Sequence, residues 1–146
     1  MYIELTRQPI QMDQLLASVQ DEDCGAVVLF IGTTRRKTKA ADGNVRTTAT
    51  LHYDAYEPMA KKSLAALFEE SLQQFPLHTV GVIHRLGEVP VSQASIALAV
   101  SSPHRADGYA ASVWLMDQIK TIVPIWKREI YQDGSEGWVH PGADAS

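Results

Sequence analysis

Two lysines near the end of the chain stand on either side of a proline, a spacing that could serve catalysis. Lys120 falls in the last turn of a predicted helix, which must end near Val123 because Pro124 lacks an N–H group and disfavours helical backbone before it. Lys127 lies on the strand predicted to follow, so the bend could bring both ammonium groups to one pocket for acid–base chemistry. On spacing alone, two solvated lysines are the simpler interpretation, since lysine is common near a helix C-terminus.

Three further basic residues could hold an anion. His104 and Arg105 stand at the predicted start of a helix, where free N–H groups and the helix dipole favour a phosphate. An arginine fork could bind that phosphate with two hydrogen bonds. Arg35 follows a strand that ends at Gly32, where the backbone can approach a ligand closely. The simpler alternatives are a histidine that caps the helix and two solvated arginines.

The other potentially reactive side chains indicate structural roles. His84 and Arg85 are neighbours on a predicted strand and point to opposite faces, so at most one could reach a given pocket. Cys24, the one cysteine, is interpreted as an inert thiol in a buried strand. A single cysteine excludes an internal disulfide and a Cys-rich zinc site, and no histidine pair has zinc-ligand spacing. We therefore expect no metal and no cofactor.

A mixed succession of helices and strands must position these residues. Hydrophobic periodicity and proline positions predict helices over residues 11–20, 58–76 and 105–123. Apolar runs and alternating patterns predict strands over residues 25–31, 47–56, 79–86, 95–100 and 126–131. The polar and basic residues 33–44 are interpreted as a mobile loop, with a turn at Asp42 and Gly43.

The order of these elements predicts the fold class. Consecutive strands with two longer helices among them are typical of an α+β fold with a mixed or largely antiparallel sheet. The length of 146 residues predicts a single domain over residues 1–146. The spacing of apolar residues on the last helix predicts a core face of Tyr109, Ala110, Val113, Met116 and Ile119.

Composition excludes several classes of protein. The formal net charge of −4 argues against a nucleic-acid binder, so the basic cluster within residues 35–39 suits a small anion better than a polymer. The longest apolar run, residues 24–32, is too short to span a bilayer. The N-terminus lacks the pattern of a secretory signal. We therefore expect a cytoplasmic protein that binds neither nucleic acid nor membrane.

Several longer motifs resemble one enzyme family. The chain is similar to the large, catalytic subunit of molybdopterin synthase at residues 25–35, 53–60, 84–89 and 102–105. The most specific motif is KTIVPIWKRE at residues 120–129, followed by Gly-Trp-Val at residues 137–139. The motifs occur in the order typical of the family, from about residue 24 to residue 139, so chance agreement of all of them is a poor explanation.

The resemblance implies a sulfurtransferase of molybdenum cofactor biosynthesis. Members of the family convert cyclic pyranopterin monophosphate into molybdopterin by installing two sulfurs as a dithiolene. A small ubiquitin-like sulfur-carrier subunit delivers each sulfur as a thiocarboxylate on its C-terminal Gly-Gly. Two large subunits form a homodimer with one small subunit at each end, a heterotetramer. The implied fold is an α/β hammerhead-like domain with a small β subdomain.

The family's functional residues correspond one by one to positions of this sequence. Lys120 and Lys127 match its essential lysines, which implies that they are catalytic. The resemblance implies substrate-binding roles for Thr33, Thr34, Arg35, His104, Arg105, Arg128 and Glu129.

The sequence also departs from the family pattern. Thr34 stands where an aliphatic residue is usual, Asp54 where Glu is usual, and Ser92 where Gly is commoner. The tail, residues 140–146, is expected to be flexible, and His140 is its one basic side chain. A function of another class also fits part of the pattern: a non-catalytic regulatory module that binds an anionic metabolite would need the arginines but not both lysines.

Overall fold

The computed structural model describes residues 1–39 and 42–139 and confirms the α+β fold. The helices are α1 (Met12–Val19), α2 (Glu57–Gln74) and α3 (Arg105–Ile122). The strands are β1 (Tyr2–Thr6), β2 (Ala26–Thr33), β3 (Lys37–Lys39), β4 (Val45–Ala55), β5 (Thr79–Arg85), β6 (Gly87–Pro90), β7 (Ala94–Ser102), β8 (Ile125–Tyr131) and β9 (Glu136–Val139). Among these helices, none is long and apolar enough to cross a membrane.

The strands form two sheets. The first sheet has the order β1-β5-β7-β2, with β1 parallel to β5 and the other pairs antiparallel. Its β2–β7 pair extends from Ala26 opposite Ser102 to Thr33 opposite Ala94. The second sheet has the order β3-β4-β8-β9, with β6 also paired to β4, and it is antiparallel throughout. The second sheet corresponds to the small β subdomain that the resemblance implied.

Helices cover both faces of the first sheet. On one face, α2 and α3 bury a core that includes Leu64, Phe68, Val82, Leu98 and Leu115. On the other face, the short helix α1 packs Leu15 and Val19 against β5 and β7. The close approach of α3 to β2 requires Gly108, because a Cβ atom there would lie 2.9 Å from Ser102 Oγ and 3.0 Å from Val28 Cγ2.

The buried face of α3 differs from the predicted one. Met116 and Ile119 are buried as expected, but Tyr109 and Val113 are 62% and 65% exposed, and Ala110 is exposed too. The residues buried in their place are Gly108, Ala111, Ser112 and Leu115. Apolar residues line two faces of this helix, and periodicity cannot choose between them; the close contact at Gly108 selects the face with the small side chains.

The structure also differs from the prediction in the segments between the predicted helices and strands. Within the predicted loop 33–44, residues 37–39 form β3 and pair with β4, so that part of the prediction is wrong. Strands β1, β6 and β9 were not predicted, because strands of four or five residues leave little periodicity to recognise. Residues 40–41 and the tail 140–146, with His140, lie outside the described residues.

Candidate active site

An open cleft of about 480 Å³ lies where β2 ends. It is lined by Thr33, Thr34, Arg35, Arg36, Lys37, Val91 and Ser92. Three consecutive cationic residues on one wall give the cleft a positive potential that favours an anionic ligand. Arg36, Lys37, Val91 and Ser92 were not among the predicted site residues. For Arg36 and Lys37 the basic cluster in the sequence was the available signal.

Thr34 forms the buried wall of the cleft, and three hydrogen bonds fix it in place. Its N–H group donates to the carbonyl of Gln93 at 3.1 Å, and its own carbonyl accepts from the Ser92 N–H at 2.9 Å. Its hydroxyl donates to the carbonyl of Val89 at 3.3 Å. The Thr34 side chain is thus engaged with the protein backbone, whereas the neighbouring Thr33 and Arg35 are exposed to the cleft.

His104 and Arg105 lie at the opposite end of β2. Both are exposed at the start of α3, and His104 occupies the N-cap position without a side-chain cap, so the capping interpretation fails. Because Ala26 pairs with Ser102 and Thr33 pairs with Ala94, the length of β2 separates this end from the cleft. Seven residue steps at ~3.3 Å each amount to about 23 Å. One chain therefore does not bring Arg35 and Arg105 together.

The two lysines lie on either side of the junction between α3 and β8. Lys120 is exposed in the last turn of α3, fifteen residues after Arg105, which corresponds to about 22 Å along a helix. Since α3 starts just after Ser102 and packs along β7 and β2, we infer that its last turn points toward the end of β2 where Arg35 lies. Lys127 is half-buried on β8, directly opposite Tyr53 of β4. The bend at Pro124 separates the two elements, as the sequence predicted.

Arg128 and Glu129 have other contacts. Arg128 points to the face of the sheet opposite Lys127, with its guanidinium 5.5 Å from the Trp138 ring centroid and Nη1 3.7 Å from Oε2 of Glu136. Glu129 is buried and accepts a hydrogen bond of 2.7 Å from the Tyr131 hydroxyl. Burial, and then this carboxylate, raise the pKa of Tyr131 to about 12. Arg128 and Glu129 therefore lie on opposite faces of β8 and do not line one pocket together, and their substrate-binding roles stay predictions.

The contacts of His84, a buried histidine next to the cleft, indicate a structural role. His84 packs edge-on against Tyr53, with ring centroids 5.0 Å apart, and its Nδ1 lies 2.9 Å from the carbonyl of Arg85. Burial lowers the pKa of His84 to about 4, so the ring is neutral and Nδ1 donates. Arg85 donates from Nη1 to Oε1 of Gln93 at 2.7 Å. Both contacts agree with the structural role predicted for this pair.

Comparison with known proteins decides the family. Residues 5–122 match the family described as MoaE protein. A molybdopterin synthase catalytic subunit from Staphylococcus carnosus is 43% identical over 136 residues, which cover 93% of this chain and 87% of that protein. The chain belongs to the MoaE family.

Solved structures agree with this assignment. The crystal structure of molybdopterin synthase from Staphylococcus aureus matches with a TM-score of 0.85 and 40% identity, covering 93% of this chain and 95% of that chain. A protein–protein complex of subunits 1 and 2 of molybdopterin-converting factor from Helicobacter pylori matches with a TM-score of 0.72. At 18% identity, over 96% of this chain and 90% of that chain, the latter likeness supports the fold alone.

MoaE membership confirms the functional class predicted from the sequence motifs. The chain is an enzyme of molybdenum cofactor biosynthesis. Like the molybdopterin synthase catalytic subunits, it is a sulfurtransferase. The alternative of a non-catalytic binding module is therefore set aside.

Proposed function

We propose that this MoaE chain transfers sulfur from the C-terminal thiocarboxylate of a small ubiquitin-like subunit to cyclic pyranopterin monophosphate in the cytoplasm, making the dithiolene of molybdopterin. Both reactants are anions, and the cleft presents Arg35, Arg36 and Lys37. We place Lys120 beside them, because it lies at the end of α3 that is far from Arg105. Fixed cations in such a site stabilise negative charge that develops during acyl and phosphate chemistry.

The active site is built from two copies of the chain. The observation that carries this proposal is the separation of about 23 Å between the ends of β2, with Arg35 at one end and His104 and Arg105 at the other. In a twofold dimer the same surface of each copy meets the other, so each copy can supply its His104 and Arg105 to the cleft of its neighbour. Two equivalent composite sites result.

An exposed apolar surface offers the dimer interface. Phe30 of the edge strand β2 and Tyr109 and Val113 of α3 are 38%, 62% and 65% exposed. Gly108 of α3 lies against Val28 of β2. Phe30 is two residues further along the strand and Val113 is five residues further along the helix, so both lie ~7 Å beyond that contact and are level with each other. Exposed apolar side chains beside the free edge of an outermost strand are typical of an interaction surface.

The two lysines are assigned different partners. Lys120, at the end of α3, positions the carbonyl and sulfur of the small subunit's C-terminus. Lys127, half-buried on β8, acts on the pterin substrate by stabilising charge or transferring a proton as the cyclic phosphate opens. The Helicobacter pylori protein is a complex of two subunits, and we expect this chain to assemble with a small subunit in the same way.

Reconstitution tests the proposal. Purified chain, thiocarboxylated small subunit and cyclic pyranopterin monophosphate should yield molybdopterin in a single-turnover assay that detects the dithiolene. The matched control is the same small subunit with an ordinary C-terminal carboxylate, which should give no product. Equal product from the carboxylate form supplied with free sulfide would reject transfer from the thiocarboxylate.

A further inference from the structure

A second cluster of chemically capable side chains lies at the end of the first sheet that also carries His104 and Arg105, opposite the chain's own cleft. Asp21, Cys24 and His78 place a carboxylate oxygen, a thiol sulfur and an imidazole nitrogen within 4.8 Å of one another. The Nε2 atom of His78 is 3.3 Å from Oδ2 of Asp21. Cys24 is half-buried and precedes β2, so its predicted place as a core thiol within a strand is wrong. The proposed sulfur transfer uses none of these three residues.

Backbone hydrogen bonds hold the three side chains in place. The N–H of Asp23 donates to Oδ1 of Asp21 at 2.9 Å, which leaves Oδ2 directed at His78. The N–H of Cys24 donates to the Asp21 carbonyl at 3.2 Å, and the N–H of His78 donates to the Ser101 carbonyl at 2.8 Å. Binding of one ligand by all three side chains would therefore require little further ordering of the backbone.

We propose that Asp21, Cys24 and His78 bind one zinc-type divalent cation, with the fourth position open to water or another ligand. Zinc takes nitrogen and oxygen ligands at ~2.0–2.2 Å in a tetrahedron, whose N–O edge is then about 3.3–3.5 Å, and the observed separation is 3.3 Å. The thiolate selects a borderline or soft metal over magnesium or calcium. The adjoining carboxylates Glu22 and Asp23 add negative potential that favours a cation.

Cobalt binding tests this site. Metal-free protein without an affinity tag is titrated with Co²⁺ and should bind one ion per chain. The bound ion should show a thiolate-to-cobalt charge-transfer band and the visible bands of a tetrahedral ion, and Zn²⁺ should displace it. At a hundredfold excess over Kd, Zn²⁺ should raise the Tm by about 5–10 °C.

Three variants identify the ligands. Cys24→Ser should abolish the charge-transfer band, and both Cys24→Ser and His78→Gln should weaken binding at least about tenfold. Glu22→Gln removes a neighbouring charge that is not a ligand, so it should keep the charge-transfer band and weaken binding less than either ligand variant. Circular dichroism establishes that each variant is folded. Absence of the charge-transfer band in the wild type, or equal affinity in Cys24→Ser, overturns the proposal. So does rapid alkylation of Cys24 that Zn²⁺ does not slow, since the cluster would then be a reactive thiol.

Discussion

Arg35 and Arg105 lie at opposite ends of the β2–β7 strand pair, about 23 Å apart along the strands. Two side chains cannot bridge that distance, so one phosphate cannot contact both within a single chain. We place Lys120 with Arg35, because α3 starts at Arg105 and packs along β2 and β7, and His104 with Arg105. We therefore propose that the chain carries two half-sites and that a dimer places complementary halves together.

Mixed dimers test this division directly. Arg35→Ala and Arg105→Ala homodimers should each be nearly inactive, because every site in them lacks one arginine. Coexpression of the two variants should restore about one quarter of the wild-type activity, since half of the dimers are mixed and one of their two sites is intact. Single-turnover product formation measures it.

The control uses two residues from the same half-site. Coexpressed Arg35→Ala and Lys120→Ala should show no recovery, because in every mixed dimer both sites retain one defect. Recovery in this pair, or none in the first pair, would contradict the composite site.

Replacing either lysine should impair chemistry more than assembly. Lys120→Ala and Lys127→Ala should each lower the single-turnover rate by roughly 10²-fold or more, the usual value of a positioned charge or proton donor. Lys→Arg should not rescue either position, because a planar guanidinium does not replace a compact ammonium.

Association with the small subunit separates this effect from a loss of binding. Calorimetry should give Lys120→Ala a Kd for the small subunit within about tenfold of wild type, because one side chain outside a hot spot contributes a small part of an interface. Near-normal rates in both alanine variants would remove the lysines from the mechanism.

The exposed apolar face of α3 should control dimerisation. Val113→Asp introduces a charge into the proposed interface and should convert the dimer to monomer at micromolar concentration, because an unpaired buried charge is costly. Val45→Asp is the matched control, since Val45 is 64% exposed on β4 and Val113 is 65% exposed. Light scattering of both variants gives the answer, and a dimeric Val113→Asp protein would exclude this face.

Ser92 should limit the stability of the cleft wall. Its φ of +72° is the one positive value among non-glycine residues that the structure describes. A Cβ atom costs about 1 kcal/mol there, so Ser92→Gly should raise the free energy of unfolding by about that amount. Ser92→Ala keeps the Cβ atom and should not stabilise. Urea unfolding compares the three proteins, and a less stable Ser92→Gly would show that the backbone is not strained.

His84 should make stability depend on pH. Burial lowers its pKa from 6.5 to about 4, so the folded state prefers the neutral ring. The contribution of this preference to the free energy of unfolding is complete above pH 6.5. It is lost as the pH falls from 6.5 to about 4, and the total loss is about 3 kcal/mol. In His84→Gln, unfolding free energy should fall less steeply over that range, whereas exposed His104→Gln should follow the wild type. Parallel wild-type and His84→Gln curves would place the acid sensitivity elsewhere.

The sequence alone determined the α+β class, the three helices and most of the longer strands. Helix ends were predictable because local signals mark them: Pro58 lies in the first turn of α2, and Pro124 follows the end of α3. The family was recognisable because its motifs, above all residues 120–129, combine rare residues in a fixed order. These properties depend on neighbours along the chain.

Only the tertiary structure decided which distant residues meet. Periodicity could not choose the buried face of α3, because two of its faces carry apolar residues and contact at Gly108 selects one. Nor could spacing show that Arg35 and Arg105 lie apart, or that Asp21, Cys24 and His78 lie together. Strand register and helix packing set these distances, and both arise from contacts between segments far apart in sequence.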